Sequence, residues 1–310
     1  MDHKISYGKG NIALYRSYAK TLDGLTPIPE SAFTGKNNNL FATDLDIEVF
    51  GDAFLPSYTE GDNSNVVATA TMTNFALQKA RLYPGATQEG FLYFLGQEML
   101  KQYPIMESLR LTTKELPFIP APITDDSGKT IAESDRLFAP NHDSYGLASL
   151  DVTRGDGDQI KITDHRCGRL DIKLIKLTGS AFADFARDDF TTLPDLKDRP
   201  LYIYLDMGWR YSDVNNAVSD NHSQYIHAQQ VYDHLQHTFH DFVSMSIQHL
   251  VYEMGVRLLN RFPQMGEVWF DAQNRLWDTA AQAEDETAKV YMDPRPPYGK
   301  IALKLTRDDL

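Results

Sequence analysis

The chain has 310 residues, of which 42% are hydrophobic and 24% charged, the ordinary balance of a globular protein. This length suggests about two domains and a core that needs no disulfide staples. Acidic residues outnumber basic ones 43 to 30, so the net charge of −13 makes nucleic acid an unlikely general partner. The composition therefore excludes disordered, collagenous and disulfide-scaffold proteins.

The first half of the chain reads as strands, then helices, then strands. The clean period-two alternation of Leu45-Asp46-Ile47-Glu48-Val49 predicts a half-buried strand. Apolar residues at helical spacing and a helix-stopping proline, Pro104, predict two helices before the next extended stretches. The predicted strands are 5–18, 40–50, 106–117 and 136–154, and the predicted helices are 70–82 and 88–103.

The second half repeats this order. Leu170, Ile172 and Leu174 alternate in one strand. The predicted strands are 170–174, 200–207, 265–277 and 289–306, and the predicted helices are 224–240 and 246–262. Both halves therefore have the element order strand, strand, helix, helix, strand, strand. This order predicts an α+β fold with two antiparallel sheets, each covered on one face by a helix pair.

An internal repeat supports the two-part organisation. Residues 137–154, LFAPNHDSYGLASLDVTR, align without a gap with residues 290–307, VYMDPRPPYGKIALKLTR. Upstream, Gly96 and Tyr103-Pro104 match Gly255 and Phe262-Pro263 in one register. Two matching pairs in the same order indicate a duplication. The polar junction at 155–158 sets the predicted domains at 1–155 and 156–310. Such sheets leave open edges, so pairing with another copy to close a barrel is expected.

Three features of the sequence predict where in the cell the protein is located. Cys167 is the only cysteine, so no internal disulfide is possible, which fits a reducing compartment. The first residues lack a signal-peptide pattern, and no stretch approaches the ~20 apolar residues of a membrane helix. A cytoplasmic protein without membrane partners is predicted.

Common catalytic motifs are missing from the sequence. No G-x-G-x-x-G follows a strand, and no phosphate loop or G-x-S-x-G elbow occurs. Five of the nine histidines cluster at 227, 234, 237, 240 and 249, and His227 and His234 share a helical face. No cysteine or Glu-x-x-His completes a zinc ligand set, so a polar helix surface is favoured over a metal site.

Several segments together resemble the cofactor-independent urate oxidases, or uricases. The segments are Ser6-Tyr7-Gly8-Lys9-Gly10-Asn11, Tyr58-Thr59, Asp62 to Thr69 with Asn74, FADFARDDFTTLPDLKDR at 182–199, Ser246-Ile247-Gln248, and Asn274. They run in family order over nearly the whole chain. The resemblance implies two tandem T-fold domains, each ββααββ, and a barrel formed by paired chains, commonly in a homotetramer with sites at subunit interfaces. It implies no cofactor and no metal.

The resemblance also assigns residues to a site for a flat heterocycle. One subunit would supply Lys9, Thr69 and Ala70, and its neighbour would supply Phe182, Arg199, Ile247, Gln248 and Asn274. The residue types suit urate, a planar anion rimmed by carbonyl and N–H groups. A guanidinium matches such an edge bidentately, and a carboxamide reads an N–H/C=O pair. The phenyl ring would stack on the heterocycle, and Ile247 and Ala70 would offer backbone N–H groups.

In the same scheme, Asn274 would hold oxygen or water over the ring, and Thr69, polarised by Lys9, would move protons. Two positions depart from the family pattern. Ala70 stands where the family has an aspartate, and Leu276 stands where the family places the histidine of its Lys–Thr–His proton relay. Leucine neither donates nor accepts a proton. His249, beside Gln248, is a candidate substitute.

Three functions follow as alternatives. The first is a urate oxidase that uses O2 and water and yields 5-hydroxyisourate and H2O2. The second is a divergent cofactor-free oxidase or oxygenase of another purine-like or pteridine-like ring. The third is a non-catalytic heterocycle-binding paralogue. The sequence leaves the true substrate, the turnover rate and the exact subunit count open.

Overall fold

The computed structural model of the chain describes residues 5–125, 127–141, 144–155, 157, 159–275, 277–285 and 288–310. The strands are β1 Ser6–Ser17, β2 Leu40–Phe50, β3 Ser108–Glu115, β4 Phe118–Thr124, β5 Ile131–Pro140, β6 Tyr145–Arg154, β7 Ile160–Lys176, β8 Leu201–Tyr211, β9 Met265–Arg275, β10 Thr279–Gln282, β11 Lys289–Tyr291 and β12 Gly299–Thr306. The helices are α1 Leu55–Thr59, α2 Thr69–Ala80, α3 Gln88–Gln102, α4 Asn215–Val218, α5 Ala228–Asp241 and α6 Ile247–Arg261. No helix within the described ranges is long and apolar enough to cross a membrane.

Backbone contacts divide the chain into two compact units. Unit 1 comprises Met1–Pro27, Phe33–Cys167 and Asp213–Ile226, and unit 2 comprises Ile28–Ala32, Gly168–Ser212 and His227–Leu310. Strand β7 contributes residues to both units. The predicted domain boundary between residues 155 and 156 stays a prediction, and Asp156 and Asp158 of the predicted junction lie outside the described residues.

Unit 1 is a twisted sheet with a helix pair on one face. Its strands follow the order β1, β2, β3, β6 and the first part of β7, and the β1–β2, β2–β3 and β3–β6 pairs are antiparallel. The alternation of β2 buries Leu45, Ile47 and Val49 on the helix side. Helix α3 presents Phe91 and Leu95, four residues apart, to the same core.

Unit 2 repeats this layout. The later part of β7 is followed in the sheet by β8, β9 and β12, and the β8–β9 and β9–β12 pairs are antiparallel. Strand β8 buries Ile203 and Leu205 on alternate positions, and helix α6 buries Leu250 and Met254 four residues apart. The predicted α+β fold with two ββααββ repeats is therefore confirmed.

Most predicted elements lie within a few residues of their observed bounds, but β7 is much longer than the alternating stretch at 170–174, and two predicted strands are divided. The predicted strand 136–154 is divided between β5 and β6, and β4 with β5 forms a separate hairpin rich in proline, which a two-stranded ribbon tolerates. The predicted helix 224–240 starts at residue 228, because the His227 side chain accepts the N–H of Gln229 and caps the helix there. The predicted strand 289–306 is likewise divided between β11 and β12, and β11 pairs with β10, a short strand that the sequence did not predict.

The duplication is visible in the hydrogen bonds that shape each half. In β1, Asn11 has a left-handed φ of 54° and its N–H donates to the Asp46 carboxylate at 2.7 Å. In β7, Asp171 has a φ of 59° and its N–H donates to the Asp206 carboxylate, also at 2.7 Å. Thr87 caps α3 and Ser246 caps α6, each through its hydroxyl oxygen.

Cations on the sheet close helix C-termini in the same duplicated way. Arg16 donates to carbonyl groups at the end of α2, and Lys176 does so at the end of α5. Arg154 donates to the carbonyls of Leu100 and Tyr103 at the end of α3, and Arg307 donates to those of Leu259 and Phe262 at the end of α6. A positive charge suits these positions because the last carbonyls of a helix lack intrahelical partners.

Candidate functional site

The predicted site residues are divided between the two units. Unit 1 holds Lys9, Thr69 and Ala70, and unit 2 holds Phe182, Arg199, Ile247, Gln248 and Asn274. Leu276 lies outside the described residues.

In unit 2, backbone hydrogen bonds join three chain segments into one small assembly. The N–H of Ala181 donates to the Ser244 carbonyl at 2.7 Å, and the N–H of Arg199 donates to the Ser180 carbonyl at 2.8 Å. Phe182 and Leu196 exchange both of their backbone hydrogen bonds. We call residues 179–182, 196–199 and 244–248 the three-segment site.

Arg199 is the buried charge of the three-segment site. Its residue is only 7% exposed, and its guanidinium carbon lies 5.4 Å from the ring centroid of Phe182. Its Nε atom is buried without a hydrogen-bond partner. Burial lowers the pKa of Arg199, and no carboxylate of the described chain offsets that effect. The neighbouring Asp198 instead accepts hydrogen bonds from the Thr178 hydroxyl and the Gly179 N–H.

Helix α6 begins at the edge of this assembly. The Ser246 hydroxyl accepts the N–H of His249, which caps the helix. Ile247 and Gln248 are therefore the first two residues of α6, where backbone N–H groups lack intrahelical partners and the helix dipole favours negative charge. The Ile247 side chain is buried, whereas Gln248 is exposed.

Asn274 lies near the end of β9, between Ile203 of β8 and Gly299 of β12. Its Oδ1 atom is buried without a hydrogen-bond partner. An unpaired buried amide oxygen costs free energy, so this atom is available to a ligand or a water. The Nδ1 atom of His249, the candidate substitute for the relay histidine, already accepts the Met245 N–H at 3.3 Å.

In unit 1, Lys9 and Thr69 lie on neighbouring elements. Lys9 is an exposed residue of β1, opposite Ile47 of β2 and just before the irregularity at Asn11. Thr69 is the first residue of α2, and Ala70 is the second. Helix α2 packs against β1. Ala70 has no polar side chain, so only its backbone N–H, in the first turn of α2, can serve a ligand.

Sequence reasoning missed one aromatic neighbour of the site. Phe185 stacks on Phe182 with ring centroids 4.8 Å apart and planes 13° from parallel, and Arg187 lies over the Phe185 ring at 4.6 Å. The signal was present as the FADF stretch at 182–185, but the sequence alone does not fix which ring faces the guanidinium. The site therefore contains two ring–cation pairs, one buried and one exposed.

The histidine cluster has structural roles in unit 2. His227 caps α5, and the buried His234 lies 6.1 Å from Phe262 between ring centroids. Among the described residues no group of three or more His, Cys, Asp or Glu is arranged to hold a metal ion. The Nδ1 atom of His234 is buried without a partner. Desolvation lowers the pKa of His234 to about 4.

The duplicated ββααββ layout and a buried cation beside an aromatic ring define a class: a tandem T-fold protein with a site suited to a planar anion. A family model described as Uricase matches residues 165–302. The uricase of Haloferax volcanii is 40% identical over 306 residues, which are 99% of this chain and 99% of that protein. The chain belongs to the uricase family.

Two further relatives agree with this assignment. The uric acid degradation bifunctional protein PucL of Bacillus subtilis is 39% identical over 310 residues, all of this chain, and the chain spans 62% of that protein's length. A crystal structure of a uricase from Bacillus fastidious has a TM-score of 0.95 and 39% identity, covering 100% of this chain and 95% of that one. The resemblance deduced from the sequence motifs is therefore confirmed at the level of the family.

The unusual pKa of His234 predicts a stability loss in acid. An unfolded histidine titrates near 6.5, so between about pH 6.5 and pH 4 the unfolded chain binds a proton that the folded chain does not. The free energy of unfolding should therefore fall as the pH drops through this window, by at most about 3 kcal/mol from this residue. Urea unfolding at several pH values should show that the free energy of unfolding falls less between pH 6.5 and pH 4 in His234→Leu than in the wild type.

Thr238→Val is the matched control for this prediction. Thr238 is a buried residue of the same helix, and its hydroxyl oxygen also lacks a partner, but it carries no titrating proton in this range. Its variant should keep the wild-type pH dependence. Equal acid sensitivity of His234→Leu and wild type would contradict the assignment.

Proposed function

We propose that the chain is a urate oxidase that converts urate, O2 and water to 5-hydroxyisourate and H2O2 without a cofactor. The urate ring gives up two electrons, O2 accepts them and becomes peroxide, and water adds to the oxidised ring. The observation that carries the proposal is the guanidinium of the buried Arg199 beside Phe182, whose Nε atom has no hydrogen-bond partner. The direct test incubates the purified protein with urate and follows urate absorbance and peroxide, with one peroxide expected for each urate consumed.

The free energy of the buried charge supports an anionic ligand. Removing a guanidinium from water is costly unless an opposite charge or several acceptors replace the lost hydration. Arg199 has no such partner among the described residues, and its backbone N–H is already bonded to Ser180. An anion with two adjacent acceptors along one edge, as in urate, would accept two hydrogen bonds from the guanidinium. These bonds would offset the free-energy cost of its desolvation.

The remaining groups of unit 2 suit the rest of a flat ring. Phe182 offers an aromatic face next to the guanidinium. The Gln248 amide can donate and accept along one edge, and the N–H of Ile247 belongs to a helix N-terminus that favours anions. These roles form one proposal, in which Arg199 and Gln248 hold the ring edge and Phe182 covers the ring face.

The repeated half of the chain gives independent support for this arrangement. Leu22 in unit 1 pairs with Lys36 as Phe182 pairs with Leu196 in unit 2, and Glu89 is the second residue of α3 as Gln248 is of α6. There, Tyr225 donates its hydroxyl to Glu89 at 2.7 Å, and its ring shares a buried apolar cluster with Leu22. The counterparts of Phe182 and Gln248 thus hold a planar ring.

The proton chemistry is assigned to unit 1. We place Thr69, polarised by Lys9, as the proton-transfer group, and we assign the backbone N–H of Ala70 to the substrate edge. Asn274 of unit 2 would hold O2 or the attacking water through its unpaired amide oxygen. A general acid or base must lie within about 3 Å of the proton it moves, so these roles require Thr69 to reach the bound ring.

Two subunits are proposed to share each site, in a homotetramer located in the cytoplasm. Strand β1 of unit 1 is paired on one side by β2, and β12 of unit 2 is paired on one side by β9. Each leaves a row of backbone donors and acceptors that a second copy can pair with to close a barrel. Lys9 and Thr69 of one subunit would then complete the site formed by Arg199 and Phe182 of its neighbour.

A second candidate function is oxidation of another planar nitrogen heterocycle, such as a purine or pteridine. The observation in its favour is Ala70, which removes a carboxylate at the start of α2 where the family has one. An oxygen-electrode screen of purines and pteridines distinguishes the two candidates. Faster oxygen uptake with another ring than with urate would favour the second.

Removal of the buried cation should abolish ligand binding. Arg199→Ala is expected to weaken the affinity for a urate analogue such as an azaxanthine at least about tenfold, because a buried bidentate charge pair is lost. Titration calorimetry measures this loss. Arg187→Ala is the matched control, since Arg187 also lies over a phenyl ring of the same loop but is exposed. Unchanged binding by Arg199→Ala would refute the site.

A shared site should be restored by mixing two inactive variants. Lys9→Ala and Arg199→Ala chains produced together should form some interfaces in which both intact groups meet. Random assembly restores about a quarter of the sites. Urate turnover of the co-expressed pair should therefore approach about a quarter of the wild-type value, whereas Arg199→Ala alone stays inactive and Lys9→Ala alone keeps only a small residual rate. Absence of recovery in a confirmed hetero-oligomer would assign both groups to one chain.

The leucine at the relay position should limit the rate. Leu276→His supplies an imidazole where the family has one, and a positioned proton-transfer group contributes about a hundredfold to ten-thousandfold. Urate turnover at neutral pH should rise by at least about tenfold, with little change in KM. Leu276→Phe, which adds a ring without a titrating proton, should not raise it. Equal rates for both variants would exclude a missing imidazole as the limit.

A further inference from the structure

A hydrogen bond in unit 1 joins the two segments that carry Lys9 and Thr69. The N–H of Val67 donates to the hydroxyl oxygen of Tyr7 at 3.1 Å. Tyr7 precedes Lys9 by two residues on β1, and Val67 precedes Thr69 by two residues before α2. The bond therefore connects the strand to the segment before the helix, two residues along the chain from each of the proposed proton-transfer residues.

The ring that carries this hydroxyl is held in place by the core. Tyr7 meets Phe54 edge-on, with ring centroids 4.9 Å apart, and Phe54 is fully buried. Side chains two residues apart on a strand point to the same face, so Lys9 leaves β1 on the same side as Tyr7. Gly8 between them lies so close to β2 that an added Cβ would be 1.9 Å from the Ile47 carbonyl oxygen. The strand therefore has little freedom to shift at this point.

The start of α2 depends on the same hydroxyl. The N-cap residue of α2 is Ala68, whose side chain makes no capping hydrogen bond. Alanine is among the poorest N-cap residues. Tyr7 accepts an N–H from the residue just before this cap and so fixes the entry of the chain into the helix. Burial raises the pKa of Tyr7, which keeps the phenol neutral.

We propose that Tyr7 is a positioning residue that holds Lys9 and Thr69 at the distance that proton transfer requires, by tying β1 to the segment that begins α2. The inference rests on the function proposed above and extends it. Tyr7 acts through the two residues and touches no substrate. A misplacement of about 1 Å can cost about a hundredfold in rate, so loss of one cross-link between the two segments is felt in turnover.

The test compares two tyrosine-to-phenylalanine variants of the whole protein. Tyr7→Phe removes the hydroxyl oxygen that accepts from Val67, and the ring contact with Phe54 is kept. Tyr58→Phe is the matched control, because Tyr58 donates its hydroxyl to the carbonyl of Ser6 on the same strand at 2.6 Å. Steady-state urate turnover gives kcat and KM for each, and thermal unfolding shows whether both are folded.

The expected result is a split between kcat and KM. Tyr7→Phe should lower kcat about tenfold or more and change KM less than about twofold, because the main ground-state contacts, from Arg199, Gln248 and Phe182, are assigned to unit 2. Tyr58→Phe should match wild type in both constants. A rise in KM at unchanged kcat, or equal losses in both variants, would overturn the positioning role.

A double variant separates this inference from the proposed function. If Tyr7 acts through Lys9, adding Tyr7→Phe to Lys9→Ala should lower kcat by less than about twofold further, since residues that work as a unit are not additive. If Tyr7→Phe lowers kcat in the Lys9→Ala background as much as it does in the wild type, the effect is a general structural one, and the inference is overturned. Wild-type kcat in Lys9→Ala would overturn both proposals, whereas loss there with none in Tyr7→Phe overturns only the positioning role.

Discussion

A positive charge held out of water without an internal counter-charge is the constraint on which the proposed site depends. Arg199 could be neutralised by the adjacent Asp198, yet the Asp198 carboxylate is occupied by Thr178 and Gly179. These hydrogen bonds, from the Thr178 hydroxyl and the Gly179 N–H, lower the pKa of Asp198 and keep it charged. The guanidinium is thereby left for an incoming anion, and the free-energy cost of its burial becomes affinity when that anion binds.

Duplication explains how such a site could arise beside a stable counterpart. The two halves share a left-handed residue bonded to an aspartate, capped helices and cations at helix ends, so the scaffold was copied with its supporting contacts. In unit 1 the position of Gln248 holds Glu89, which is buried and bonded to Tyr225. In one half a phenol of the same unit thus satisfies the side chain at this helix position, whereas in the other half the corresponding side chain, Gln248, is exposed.

Much of the fold could be predicted from the sequence because its signals are local. Alternation in β2 and β8 and helical spacing in α3 and α6 each report one buried face. The prolines of the β4 segment gave no strand signal. They are tolerated there because a two-stranded hairpin needs few of the N–H donors that proline lacks. Family motifs singled out Arg199 and Phe182, but the Phe185 stack and the Tyr7–Val67 bond join residues whose proximity depends on tertiary packing. No periodicity reports such contacts.

The departures at Ala70 and Leu276 affect different parts of the reaction. Arg199, Phe182 and Gln248 are retained, so the ground-state contacts of a planar anion remain available. In the proposed mechanism a leucine at the relay position removes a proton acceptor, and loss of a group that acts only in the transition state lowers kcat more than it changes KM. In that mechanism the order imposed on Lys9 and Thr69 matters more than it would beside a complete relay, because the proposed proton-transfer pair has to compensate for the missing imidazole.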